Sequence, residues 1–194
     1  HPTYSVIAHK YFLNYFLQKA DYVITNSANT QKDTKQFFKN VNPKLIYPGS
    51  DIFFHFSKNK LVLQKYNIEK KYNLSVGTLE PRKNHLLLIK AFENLKQQNS
   101  INSKLVLVGN KGWKNSKLHN YIIKSKFKND ILILGFVKKE DLRTLYSCAE
   151  MMVYPSHYEG FGFPVLEAMK CNCPVITSNS SSLLEVGGNA VLYF

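Results

Sequence analysis

Residues 131–177 read ILILGFVKKEDLRTLYSCAEMMVYPSHYEGFGFPVLEAMKCNCPVIT. Three short apolar runs stand out: Ile131-Leu132-Ile133-Leu134, Met152-Val153-Tyr154 and Val175-Ile176-Thr177. Two segments of helical character lie between them, Lys139 to about Cys148 and Phe163 to about Met169. Strands that are apolar on both faces and joined by helices belong to a parallel sheet covered on both sides. Right-handed crossovers make such a sheet an α/β, Rossmann-like doubly wound one, whose ligands sit in the loops at the C-terminal strand ends.

The alternation extends outward from this stretch. Upstream come Asn73–Val76, a helix from Asn84 to about Lys96, Leu105–Val108 and a basic helix from about Asn115 to Phe127. Downstream come a short helix near Ser182–Glu185 and Val191-Leu192. Near the start, Tyr22–Thr25 reads as a strand, followed by a polar helix through about Phe38 and by Leu45–Tyr47, closed by Pro48-Gly49. Residues 51 to 70 are aromatic and basic without a clean period and read as a linker or an extended excursion.

A chain of 194 residues, 44% of them hydrophobic, can bury the core of one α/β domain with some left over. It begins at His1 without Met and stops inside the apolar run Val191–Phe194, which reads as a piece cut at both ends. No run of about 18 apolar residues is present, so none of it reads as a membrane span. The three cysteines, Cys148, Cys171 and Cys173, lack the spacing of a disulfide framework or a zinc site and read as small buried thiols in a reducing compartment. A net charge of +13 admits nucleic acid, anionic lipid or a phosphorylated substrate as partner. The lysines are dispersed, whereas arginine occurs only at Arg82 and Arg143, where its planar fork has a use.

Two loops carry chemistry. In Gly77-Thr78-Leu79-Glu80-Pro81-Arg82-Lys83-Asn84, Asn84 is placed to cap the following helix, which puts Arg82 and Lys83 beside the positive end of its dipole. That arrangement calls for an anion there, unless the turn is simply basic and solvated. In Glu159-Gly160-Phe161-Gly162-Phe163-Pro164-Val165-Leu166-Glu167, the glycines allow close backbone approach and Pro164 suits the first helical position. The helix start then favours phosphate or developing negative charge. Glu167 is expected in the first helical turn, and Glu159 lies outside the helix, so two acids flank one anion-binding loop.

Glu159 and Glu167 are separated by seven residues, and EGFGFPVLE resembles the Glu-x7-Glu motif of retaining GT-B glycosyltransferases of the group 1, family 4 type. The surrounding VYPSHYEGFGFPVLEAMKCNCPVITSNSSSLLEVGGNAVLYF, SVGTLEPRKNHLLLIKAF, LVLVG and ILILGFVKKEDLRTLYSCAEMMVYPS are similar to that family in the same order. ADYVITNSANTQKD resembles the end of its N-terminal domain and YPGSD its interdomain linker. The resemblance implies three parts: 1–44 as the end of an acceptor domain, 45–71 as the linker and start of the next domain, and 72–194 as a nucleotide-sugar-binding domain.

It also implies roles. Arg82 and Lys83 would grip the donor diphosphate and, with Glu159 facing the donor sugar, form the catalytic set. Gly77, Gly160, Phe161, Gly162, Phe163 and Leu166 would line the donor, Glu167 would hold the ribose, and the base would lie against Gly135-Phe136-Val137. The variants GTLEPRKN and EGFGFPVLEAM look most like bacterial mannosyltransferases that use GDP-mannose. No Asp-x-Asp or His cluster is present, so no metal or cofactor is expected beyond the nucleotide-sugar substrate. The implied acceptor is a lipid-linked or lipopolysaccharide glycan at the cytoplasmic face of the inner membrane, with peripheral contact to anionic lipid. The piece by itself is expected to be inactive.

Other residues read as structural. His157 belongs beside the acidic loop, His85 in the helix after Lys83, Trp113 in packing over the sheet, and Cys148 in the core. Tyr4, Ile7, Tyr11, Phe12, Tyr15 and Phe16, with Lys10 and Lys19, form an aromatic helical stripe for either an interdomain helix or a membrane contact. Rival readings are another GT-B enzyme, such as an epimerase or glycogen-type synthase, and a basic nucleic-acid-binding domain. The dispersed lysines speak against the last.

Overall fold

The computed structural model describes residues 3–113 and 116–194, residues 3–10 through their backbone alone. Asn115 as a helix start, His1, and the side chains of Tyr4, Ile7, His9 and Lys10 lie outside the described residues. The chain forms two compact units, His1–Gly49 and Ser50–Phe194.

The first unit holds helix α1 (Thr3–Lys19), strand β1 (Ile24–Thr25), helix α2 (Ala28–Phe37) and strand β2 (Lys44–Leu45), with β1 and β2 parallel. Ser27 caps α2 by accepting the Thr30 N–H at 3.0 Å, a role that suits serine's short hydroxyl. The Ile46 N–H continues the β1–β2 ladder to the Thr25 carbonyl at 3.0 Å. Residues 44–46 are thus hydrogen-bonded into the first compact unit, which extends to Gly49. Tyr11, Phe12, Tyr15 and Phe16 of the aromatic stripe are exposed. No described helix is long and apolar enough to cross a membrane.

The second unit holds α3 (Lys60–Lys65), β3 (Tyr72–Val76), α4 (His85–Gln97), β4 (Lys104–Val108), α5 (Ser116–Lys124), β5 (Ile131–Gly135), α6 (Lys139–Cys148), β6 (Met151–Tyr154), α7 (Phe163–Lys170), β7 (Val175–Thr177), α8 (Leu183–Gly187) and β8 (Leu192–Tyr193). The strands form one parallel sheet in the order β5-β4-β3-β6-β7-β8. This is the expected doubly wound sheet, apolar on both faces. Leu74, Val76, Val106, Val108, Met152 and Tyr154 face one cluster with Leu145 of α6 and Val165 of α7. Leu105, Leu107 and Ile131 face the other with Leu88, Ile89 and Phe92 of α4. The strand-by-strand alternation of the two sets is the two-residue period of a pleated strand.

Successive strands are added from β3 outward to β5, after which the chain returns to the other side of β3 with β6. Order reverses between β3 and β6, and this switch point is where an open α/β sheet leaves a crevice for ligand.

Residues 51–70 are not a loose linker. Phe54 and Ile68 are buried in the core, and Phe54 meets Tyr146 edge to face at a centroid distance of 5.9 Å. Asp141 of α6 accepts Lys65 Nζ at 2.6 Å and Tyr66 Oη at 2.8 Å. The segment runs along α6 and anchors at scattered apolar positions, which is why it shows no period.

Candidate functional site

Two loops meet at the switch point. After β3 the chain turns at Gly77, runs to a 3-10 turn at Pro81–Lys83, and enters α4 through Asn84. Asn84 is left-handed (φ 55°, ψ 31°) and makes no side-chain capping bond, contrary to the expectation that it caps α4. Its N–H closes the 3-10 turn on the Pro81 carbonyl at 3.1 Å, and asparagine tolerates the left-handed conformation that this exit requires. After β6 the second loop runs from Pro155 to Gly162 and is tied to the first by the His157 N–H on the Arg82 carbonyl at 2.9 Å.

Between them lies a chain of charges. Glu159, buried to 7% exposure, accepts Lys83 Nζ (2.6 Å) and Tyr154 Oη (3.0 Å) at Oε1, and Arg82 Nη1 (2.8 Å) at Oε2. Lys83 Nζ also lies 2.6 Å from Tyr154 Oη. Arg82 donates through Nε and Nη2 to Glu80 Oε1, at 3.0 and 2.8 Å. Burial alone would raise the Glu159 carboxyl pKa, but the hydrogen bond and charge of Lys83, with the hydrogen bond from Arg82, outweigh it and hold the group below its ordinary value.

This geometry gives both cations internal partners. The anion that Arg82 and Lys83 call for is present as the protein's own Glu80 and Glu159. Lys83 is buried, and its ammonium is hydrogen-bonded to Glu159 and Tyr154. Arg82, 40% exposed in its side chain, is the cation that reaches solvent.

The glycine loop is braced by the turn that leads into α8. The Glu159 N–H donates to Ser181 Oγ at 2.8 Å, and Ser182 Oγ lies 2.9 and 2.8 Å from the carbonyls of Glu159 and Phe161. Gly162 caps α7 at φ 107°, where a side chain would be strained and a Cβ would stand 2.7 Å from Leu183 Cδ2. Phe163 is half-exposed and its ring lies 5.0 Å from that of the buried Phe161. Phe163 begins α7, so Pro164 is the second helical residue and Glu167 the fifth. Glu167 is therefore beyond the first turn, where the dipole was expected to stabilise it. Burial first, then the charge of Asp51, raises its pKa against the hydrogen bond it accepts from Tyr146 Oη at 2.9 Å.

The remaining positions are distributed along the C-terminal strand ends. Gly77 has φ 151° and faces the Lys83 side chain. Leu166 is half-buried on α7. Phe136 is 72% exposed at the end of β5, while Val137 is buried in the core and presents only its backbone. Sequence reasoning missed Glu80, Tyr154, Tyr146 and the Ser181-Ser182 brace. Only the run Ser180-Ser181-Ser182, in a strand-to-helix loop, carried a signal. Among the described residues no group of three or more His, Cys, Asp or Glu could hold a metal ion.

Residues 58–192 match the family described as glycosyl transferases group 1. O-antigen chain mannosyltransferase B of Escherichia coli is 45% identical over 132 residues, 68% of this chain and 35% of that protein. O-antigen chain mannosyltransferase RfbU of Salmonella typhimurium is 32% identical over 184 residues, 95% of this chain and 49% of that protein. The chain thus spans about a third to a half of these relatives' length. Among solved structures, Anabaena Alr3699/HepE in complex with UDP and glucose superposes with a TM-score of 0.73 at 26% identity, over 86% of this chain and 46% of that one. The doubly wound sheet, the paired loops at its switch point and a family match across most of the second unit agree: the chain belongs to the glycosyl transferases group 1 family.

Proposed function

We propose that the whole protein transfers mannose from GDP-mannose to a lipid-linked or lipopolysaccharide glycan with retention of anomeric configuration, and that the second unit binds the donor. The carrying observation is the Arg82–Glu159–Lys83 cluster at the ends of β3 and β6, beside the glycine loop that opens α7. Loss of a nucleoside diphosphate builds negative charge on phosphate and oxocarbenium character on the sugar. Arg82 and the N-terminus of α7 meet the first, and the buried anion Glu159 meets the second. Glu167, with one oxygen held by Tyr146, offers the other to the ribose hydroxyls. Phe136 and the backbone of Gly135 and Val137 flank the base. In this reading Lys83 acts through Glu159, and no metal ion or cofactor takes part, so a chelator leaves turnover unchanged. The first unit would be the end of an acceptor domain, and the +13 charge suits peripheral contact with anionic lipid on the cytoplasmic face.

The two mannosyltransferase relatives favour mannose. The experiment is a donor panel on the full-length protein: GDP-mannose, UDP-glucose and UDP-N-acetylgalactosamine, with the product's anomeric configuration read by NMR. GDP-mannose should be consumed and give an α-linked product. Preference for a UDP-sugar would sink the mannose assignment, a β-linked product would sink retention, and no transfer from any donor would sink the transferase reading.

A further inference from the structure

Behind Arg82 stands a carboxylate with no role in the chemistry above. Glu80 leaves only 14% of its side chain exposed. Its Oε1 accepts Arg82 Nε at 3.0 Å and Nη2 at 2.8 Å, and its Oε2 accepts the indole N–H of Trp113 at 3.1 Å. Gripped along one edge, the guanidinium presents Nη1 on the other, 2.8 Å from Glu159 Oε2 and 2.7 Å from the Tyr158 carbonyl. The partners come from three loops: Glu80 after β3, Trp113 after β4, and Tyr158 and Glu159 after β6.

This division of labour is specific. A long arginine side chain samples many rotamers unless something fixes its plane, and a fork held at Nε and Nη2 has its orientation fixed while Nη1 stays available. An exposed ion pair would do neither, but Glu80 is shielded and held at both oxygens. The bound diphosphate brings negative charge to a cluster in which two cations are already matched by two carboxylates. It gains Arg82 most directly by replacing Glu159 at Nη1, and this also releases Glu159 Oε2 toward the sugar.

We propose that Glu80 is a positioning residue for Arg82, holding the Nε–Nη2 edge while Nη1 exchanges Glu159 for the donor diphosphate, and that Trp113 registers the exchange through the second Glu80 oxygen. This rests on the reading that Arg82 meets the diphosphate. Nothing in that reading requires Glu80 or Trp113, so the two can fail separately.

The test is a double-mutant cycle on the full-length protein, with GDP and UDP affinity measured by calorimetry and tryptophan emission followed in parallel. Glu80→Gln should weaken binding of the preferred nucleotide about tenfold, the size of one charge-assisted hydrogen bond, with an unchanged melting temperature. In an Arg82→Ala background the same substitution should have no further effect, because Glu80 acts only through Arg82. Trp113→Phe should weaken binding in the same direction by less. The emission change on nucleotide addition should be lost in Trp113→Phe, which identifies its source, and in Arg82→Ala at saturating nucleotide. Additive effects of Glu80→Gln and Arg82→Ala, or normal binding with no Trp113 response, would overturn this inference and leave the donor-binding reading intact. Absence of binding by either nucleotide would overturn that reading and this inference with it.

Discussion

Lys83 leaves 10% of its side chain to solvent and Arg82 leaves 40%, although the two are neighbours in sequence and share the Glu159 carboxylate. Removing Lys83 strands part of a buried negative charge, so Lys83→Ala should cost about 3 kcal/mol of folding stability. Arg82→Ala should cost less, because Lys83 stays on Glu159 and the vacated position, 40% exposed, admits water to Glu80 and Glu159. Turnover should nonetheless fall on the order of a hundredfold in Arg82→Ala, through lost phosphate stabilisation. Urea melts and initial rates on both variants separate the two, and equal destabilisation would contradict the assignment. His85, 3% exposed at the start of α4, gives a pH signature. Burial, and then the charge of Lys83, pushes its pKa from 6.5 down to about 4. The unfolded chain therefore binds the proton first, so stability is full above pH 6.5 and is lost as pH falls toward about 4. The loss reaches roughly 3 kcal/mol. His85→Gln should flatten the pH dependence of the urea midpoint in that window, and parallel curves for both proteins would refute it. At this scale the sequence showed what is contiguous. Both glutamates and the Arg82-Lys83 pair are visible in their motifs, but their partners are not. Tyr154 reads as the end of a strand, and its hydroxyl reaches Lys83 only because β6 lies beside β3.

Among the elements, α6 and β7 begin and end where their apolar periods predict, and the other strands of the sheet lie within two residues of expectation. The errors share a cause: a local rule yielded to a neighbouring loop. Asn84 left its capping role to serve as exit from the 3-10 turn, and Pro164 moved one place inward because Gly162 and Phe163 open α7. Residues 51–70 concealed α3 and the buried Phe54 because a segment that runs along α6 makes its contacts without a period. The strand ends hold one constraint that no period reveals. Gly109, at φ 148° after β4, lies against the turn after β3, so that a Cβ there would stand 2.1 Å from the Gly77 carbonyl oxygen. Backbone cannot move aside as a side chain tip does. Gly109→Ala should cost roughly 3 kcal/mol and displace the turn that leads to Arg82. A melting temperature and nucleotide affinity equal to the parent would show that the two loops are not packed this tightly.

For the whole molecule, the parallel sheet and its ligand-bearing end were legible because strands apolar on both faces admit few other arrangements. Which loops face each other across the switch point was not, since it depends on β6 returning to the far side of β3. The outcome brings Arg82 and Glu159 together beside the glycine loop at the switch point, while Glu167 joins Tyr146 on the α6–α7 side. In the proposed function the donor diphosphate enters at this switch point in exchange for an internal carboxylate. The most direct test is a crystal structure of the full-length protein with GDP bound. The diphosphate should lie within hydrogen-bonding distance of Arg82 Nη1 and over Gly160–Phe163 at the start of α7, with Glu159 Oε2 released from Arg82. A diphosphate bound elsewhere, with the Arg82–Glu159 pair still closed at 2.8 Å, would contradict it.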